Sequence, residues 1–241
     1  MSGGFSIDAR SRAPELMDDH AVDYETFRGC LADLARVNAM TLAYRPTLAF
    51  LDRLRGERRL PEGRPLTILD VGSGYGDTLR VIARWARRRG VPVALTGLDG
   101  NPWSARAAAE ATPADLAVSW VTSNVFESSE RADVILSSLF THHLDDRELA
   151  RFLAWSEDAA SVGWFVNDLR RSRFSHAGFA LASRLLRMHP FVRHDGPVSI
   201  ARAFVEADWR AALAGAGVPE RDVEVRRWFP FRLCVSRVKP G

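Results

Sequence analysis

The chain has 241 residues, 46% of them apolar, which is enough for a full hydrophobic core in one large domain or two small ones. The net charge is only +3 and the arginines are spread along the chain, so no concentrated nucleic-acid-binding face is indicated. No apolar run reaches the roughly 18 residues needed to span a bilayer, and the N-terminus MSGGFSIDAR lacks the apolar stretch of a secretory signal. Cys30 and Cys234 have neither metal nor disulfide spacing and read as small core residues in a reducing cytoplasm.

Residues 1 to 22 are polar and read as a loose lead-in or a short capping turn; His20 carries no signal there. From Tyr24 onward, Phe27, Leu31, Leu34, Asn38 and Leu42 recur at helical spacing until Pro46, and Leu48, Leu51 and Leu54 continue as a second, shorter helix. After a Gly- and Pro-rich loop over Arg55 to Pro65, strands and helices alternate. Strands are predicted over Leu66–Val71, Val93–Leu98, Val118–Thr122, Ala132–Ser138 and Gly163–Asn167, with helices over Gly76–Arg89, Pro102–Ala111 and Asp146–Ala159. Such alternation predicts an α/β protein with a doubly wound, mostly parallel sheet whose ligands sit at the carboxyl ends of the strands.

The alternation lapses after Asp168. Phe174, Leu181, Leu185 and Met188 form a helical apolar stripe, which by amphipathicity alone is ordinary core packing. As an insertion after the fifth strand, it would instead join the helices of residues 24 to 54 as an apolar lid over the strand ends. The polar stretch His194, Asp195, Gly196 and Pro197 then reads as a turn. A helix from Glu206 to Ala216 and two strands, Val223–Phe229 and Phe231–Val238, close the chain as a hairpin-like pair around Pro230.

The stretch LTILDVGSGYGD (residues 66 to 77) organises the rest. A strand runs into Asp70 and then into Gly72, Gly74 and Gly76, whose freedom lets the backbone turn tightly and bring N–H groups to a ligand at the start of a helix. Asp99, at the tip of the second strand and 23 residues beyond Gly76, is placed to accept from both hydroxyls of a ribose. The spacing D-x-G-x-G-x-G departs from the dinucleotide pattern G-x-G-x-x-G. Asp70 beside the loop would repel a pyrophosphate and suit an ammonium group, which favours S-adenosylmethionine over NAD.

With LDVGSGYG, LTGLDGNP, WVTSNVFE, ADVILSSLFTHHL and GWFVNDL in that order, the chain resembles the class I S-adenosylmethionine-dependent methyltransferases over residues 66 to 168. It is also similar, less specifically, to small bacterial methyltransferases associated with polyketide or quinone biosynthesis, through FTHHL and HDGPVSIARAF. The resemblance implies a Rossmann-like, seven-stranded sheet with an antiparallel C-terminal strand. Length and element order favour one domain divided into a helical cap (1–62), a cofactor-binding core (66–168), a helical lid (169–205) and a closing helix and strand pair (206–241).

For the cofactor, the resemblance places Gly72, Ser73, Gly74 and Gly76 along the methionine part, with Asp70 near its amino group. Asp99 and Gly100 would hold the ribose, with Asn101 and Trp103 beside the nucleoside, and Asn124, Val125 and Phe126 would lie at the adenine. Asn124 stands where many members carry Asp, so that contact loses its charge assistance.

Methyl transfer from a sulfonium requires in-line positioning and no metal. A phenolic acceptor gains from a base, for which histidine is suited. His142 and His143 follow the fourth strand at the ligand edge and are the first candidates; His194 beside Asp195 is the second; His176 and His189 read as helix surface. The expected activity is O-methylation of a small hydrophobic acceptor carrying a phenolic or enolic hydroxyl. C-methylation and a catalytically inactive binding protein are the alternatives, and a homodimer is left open.

Overall fold

The computed structural model describes residues 6–18, 22–185 and 188–240, so His20 and Arg187 lie outside the described residues. Seven strands form one sheet in the order β3-β2-β1-β4-β5-β7-β6. They are β1 (Leu66–Val71), β2 (Val93–Asp99), β3 (Val118–Thr122), β4 (Ala132–Ser138), β5 (Ala160–Leu169), β6 (Val223–Trp228) and β7 (Arg232–Val238). β1 to β5 pair in parallel, and β7 runs antiparallel to both β5 and β6. The order reverses at β1, between β2 and β4, which is where a doubly wound sheet opens a crevice beyond its strand ends.

The central strands are apolar on both sides because both faces are covered. Leu66 and Ile68 of β1 join a core with Phe50, Leu51 and Leu54 of α2 (Arg45–Gly56) and Leu79, Ile82 and Trp85 of α3 (Asp77–Arg89). Leu69 and Val71 of the same strand join the opposite core, against Leu149, Phe152 and Leu153 of α5 (Asp146–Ala159) and Trp209 and Leu213 of α8 (Glu206–Gly215). Each fully buried Leu or Phe contributes about 1.5–3 kcal/mol of transfer free energy. α1 (Tyr24–Met40) is capped by the Asp23 carboxylate on the Thr26 N–H at 3.0 Å, and it packs Phe27 and Leu31 against Ala107 of α4 (Ser104–Ala111).

Two segments depart from the sequence-based expectation. His194 to Pro197, expected as a turn, lies inside α7 (Pro190–Arg202). Pro197 removes a helical N–H and leaves the Arg193 carbonyl without its partner, but tertiary contacts hold the helix. The Asp195 carboxylate accepts from the N–H groups of Leu16 and Met17 at 2.8 and 3.0 Å, and a Cβ on Gly196 would meet the Phe179 ring at 1.9 Å.

α6 (Arg173–Leu185) is helical as expected, yet its apolar stripe is not core: Phe174, Leu181 and Leu185 are 78%, 61% and 73% exposed. The helix buries small residues instead, Ser175 and Ser183. Among the described residues no helix is long and apolar enough to cross a membrane.

Candidate functional site

The carboxyl ends of β3, β2, β1, β4 and β5 are neighbours in the sheet, so the residues at their tips form one continuous edge. At its centre Gly72, Gly74 and Gly76 have φ of 70°, 48° and 71°, the left-handed region that side chains disfavour. Gly72 and Gly76 also have no room: a Cβ would meet Phe140 at 2.6 Å and Trp120 at 2.2 Å. The same Trp120 ring fills the space beside Gly97 on β2. Gly74 has space beside it, with only Leu31 in van der Waals contact of an added Cβ, so a ligand can approach the loop closely there.

Asp99 at the tip of β2 accepts the Gly74 N–H at 2.8 Å on one oxygen and the Asn101 N–H at 2.8 Å on the other. A carboxylate has about four acceptor positions, so each oxygen keeps one for a ribose hydroxyl. The Asn101 side chain accepts the Trp103 N–H at 2.9 Å, and the partly exposed Trp103 ring lies 5.5 Å from that of Tyr24. At the tip of β3 the Asn124 carbonyl accepts the Phe126 N–H at 3.0 Å, Val125 is buried in the core, and Arg151 lies over the Phe126 ring at 4.3 Å.

Two buried ionisable residues have unused polar atoms, Asp70 of β1 just before the glycine loop and Arg232 of β7 beside the end of β5. Asp70 is 2% exposed, and its Oδ1 has no hydrogen-bond partner. Burial, then the charges of Asp77 and Asp99, push its carboxyl up to about 8. Arg232, at the start of β7, is 5% exposed; one guanidinium nitrogen donates to Asn38 Oδ1 at 3.0 Å and Nη1 has no partner. Asn38 and Tyr44 both donate to Asp77 Oδ2, at 3.2 and 2.7 Å, linking Arg232 to the start of α3. A buried polar atom left unpaired costs about 1–3 kcal/mol, more when it is charged, so an unpaired acid and an unpaired base on this edge fit a zwitterionic ligand.

The tips of β4 and β5 carry a second constellation. Leu139 takes φ 57° at the end of β4, a conformation costing a leucine about 1–2 kcal/mol, and the chain enters a 3-10 turn over Thr141–His143. His142 is 3% exposed. Its Nδ1 lies 2.8 Å from Asp168 Oδ1 on β5, while its backbone N–H and the Thr141 hydroxyl both donate to Asp168 Oδ2.

On the other side of the ring, Nε2 lies 3.6 Å from Glu15 Oε1. Burial alone would lower the imidazolium, but the charge and hydrogen bond of Asp168, then those of Glu15, push it up to about 9. Burial would raise the Asp168 carboxyl, and His142 and Thr141 hold it below the usual carboxylate range.

The N-terminal segment is tied to this place from several directions. Arg10 donates to the carbonyls of Arg202, His142 and Leu144 and pairs with Asp146 at 2.8 Å, and its guanidinium lies 3.6 Å from the centre of the Phe204 ring. A cavity of about 310 Å³ lined by Arg170, Arg171, Arg173, Arg227 and Glu206 lies beyond the end of β5 and includes none of the glycine-loop residues.

Against known families, residues 69–154 match the one described as Methyltransferase domain. The matched stretch takes in the glycine loop, Asp99, Asn124 and the His142–His143 pair. No curated protein matches the sequence. Among solved structures, magnesium protoporphyrin IX methyltransferase from Synechocystis PCC 6803 with bound SAH is similar at 15% identity and a TM-score of 0.55, over 92% of this chain and 90% of that one. The plantazolicin methyltransferase BpumL in complex with SAH is similar at 12% identity and a TM-score of 0.63, over 90% of this chain and 96% of that one. Human N-acetylserotonin methyltransferase with SAM gives 11%, a TM-score of 0.52, and coverage of 73% and 48%. At these identities the likeness is one of fold, and the fold is that of class I methyltransferases.

Within the matched stretch the residues expected at the cofactor converge: Asp70, the glycines, Asp99, Asn101 and Asn124 share one edge. The histidines divide. His142 and His143 are together, their rings 4.4 Å apart, whereas the half-exposed His194 is bonded at 2.8 Å to Asp195, the carboxylate that ties α7 to the lead-in. His176 is on α6; His189 is not helix surface but the N-cap of α7, accepting the Phe191 N–H at 3.3 Å with Cys30 Sγ also at 3.3 Å.

The sequence reading missed Glu15, Asp168, Arg232 and Trp120. Asp168 had a usable signal as an acid at a strand tip. Glu15 and Arg232 reach the site only through contacts distant in sequence.

Proposed function

We propose that this chain is an S-adenosylmethionine-dependent methyltransferase acting on a small hydrophobic acceptor through a phenolic or enolic oxygen. The observation that carries the O-methyl reading is the Asp168–His142 pair, with Nδ1 to Oδ1 at 2.8 Å, at the tips of the two strands that continue the sheet edge from the glycine loop. The similar structures are named for different acceptors, and a shared fold does not carry acceptor identity.

Gly74 and Asp99 would hold the ribose side of the cofactor and Asn124 and Phe126 its base. Asp70 would face the ammonium, and Arg232 Nη1 the carboxylate, of its methionine end. The bound cofactor supplies an electrophilic methyl on a sulfonium: the new oxygen–carbon bond forms as the sulfur–carbon bond breaks, and the electron pair stays on sulfur. The chain's own work would be to bring the acceptor oxygen into line and to let its proton leave on the partly exposed His143 side, beside His142, whose ring Asp168 orients. The exposed apolar residues Phe174, Leu181 and Phe229, and Phe231, whose ring lies 6.2 Å from that of Phe174, offer a surface for a hydrophobic acceptor to approach.

Turnover to S-adenosylhomocysteine with a panel of phenols and enols, and NMR of the methylated product, tests the reading. Methyl on oxygen is expected. Methyl on carbon would move the activity to C-methylation at the same site, and no turnover with any acceptor would remove the catalytic assignment.

A further inference from the structure

We propose that Glu15, His142 and His143 form a binding site for a divalent first-row metal ion at the acceptor end of the methyltransferase domain. His142 Nε2 lies 3.6 Å from Glu15 Oε1, and His143 Nε2 lies 3.9 Å from Glu15 Oε2. The three ligand atoms are all within 4.8 Å of one another. Ligand bonds of about 2.0–2.2 Å to such an ion put neighbouring ligand atoms somewhat over 3 Å apart. Side-chain adjustments of an ångström or less therefore close the site. Two imidazoles and one carboxylate on one side of an ion, with the remaining positions open, is a donor set suited to Fe(II), Mn(II), Co(II) or Zn(II).

The surroundings have the form of an outer ligand shell. A metal-bound histidine ordinarily gives its other nitrogen to a carboxylate or carbonyl, which fixes the tautomer and aims the ring. His142 does so with Asp168, which is itself held by the Thr141 hydroxyl and the N–H groups of His142 and Leu169. Glu15 is aimed by the Ser199 hydroxyl, which donates to Oε1 at 2.9 Å. The His142 backbone is fixed by Arg10 and Arg202, both donating to its carbonyl at 3.3 Å.

Glu15 and Asp168 place two negative charges around the ring, against which Arg202 Nη1, 3.7 Å from Glu15 Oε1, is the cation facing the cluster. Glu15 and His142 are buried and His143 is partly exposed, so the open positions lie on the His143 side. The sequence alone suggested no metal because Glu15 is more than a hundred residues from the histidines.

The role of the ion rests on the methyl-transfer reading. As a Lewis acid it would bind the acceptor oxygen, lower the pKa of its hydroxyl and release that proton to solvent at the His143 side. Untagged full-length protein, stripped with a chelator and titrated with Co(II), tests the site through visible d–d absorption and calorimetry. One equivalent is expected to bind in the micromolar range or tighter. His143→Ala and Glu15→Gln should each weaken binding at least 100-fold, and Asp168→Asn about 10- to 100-fold.

Circular dichroism melts of His143→Ala, the least buried of the ligands, serve as the folding control. No Co(II) spectrum up to millimolar concentration overturns the site, as does binding unchanged in both His143→Ala and Glu15→Gln. Turnover without Co(II) binding would overturn the metal site and leave the methyltransferase assignment standing. Stoichiometric binding without turnover on any acceptor would do the reverse.

Discussion

The two halves of the functional edge are built in different ways. At the glycine loop the groups proposed to face the cofactor are backbone, or side chains tied to nearby backbone: Asp99 to Gly74 and Asn101, Asn124 to Phe126. At the tips of β4 and β5 the groups are side chains brought together from the lead-in, β5 and α7, as in the contacts of His142 with Asp168 and of Glu15 with Ser199. The first half uses conformations that only particular residues reach. The second uses burial and charge pairing, which makes it sensitive to the arrangement of the whole chain.

Four measurements sharpen or break that contrast. The largest effect is expected for His142→Gln, which should lower kcat about 10²- to 10⁴-fold while leaving the S-adenosylmethionine Kd within about threefold. Asp168→Asn should do the same and also lower the melting temperature, since removing one partner of a buried pair costs about 3–5 kcal/mol. Equal losses in cofactor affinity and kcat would show that the two halves act as one.

Next, Asp99→Ala removes an acceptor for charge-assisted hydrogen bonds worth about 1.5–3 kcal/mol each. Calorimetry should show at least a tenfold to hundredfold weaker Kd for S-adenosylmethionine. An unchanged Kd would dissociate the glycine-loop edge from the cofactor.

A smaller effect concerns pH. The Asp70 carboxyl titrates near 8 in the folded chain against 3.8 ordinarily, so between those values the folded state holds a proton that the unfolded state has lost. Stability should therefore fall as pH rises from about 4 to about 8. A cofactor ammonium facing Asp70 would offset the loss, so the rise in melting temperature on adding S-adenosylmethionine should grow between pH 6 and pH 9. Asp70→Asn should flatten both trends; a wild-type shift independent of pH would place the ammonium elsewhere.

The smallest effect is expected for Leu181→Ser and Leu185→Ser on α6. Both residues are exposed, so each should change stability by no more than about 0.5 kcal/mol. A loss above about 2 kcal/mol in denaturant titration would mean that the stripe is buried in solution.

How far the sequence could be read follows the same division. The strands from β1 to β4, α5 and the placement of Asp70, Asp99 and the glycines on one sheet edge were legible because periodicity, strand tips and glycine spacing are local. α7 was misread as a turn because Gly196 and Pro197 are turn residues locally, whereas the Leu16 and Met17 N–H groups on Asp195 and the Phe179 ring against Gly196 hold a helix. The α6 stripe had the correct period, but period alone does not say which face has a partner.

The sequence by itself determined the class of fold and the edge proposed to hold the cofactor, since a positive φ at a glycine and an acid at a strand tip are properties of a few adjacent residues. Only the tertiary structure decided that His142 meets Asp168, that Glu15 closes that group, and that Arg232 keeps an unpaired nitrogen while bonded to Asn38. Those pairings join segments separated by 26 to 194 residues, and burial, which gives them their strength, exists only once the whole chain has folded.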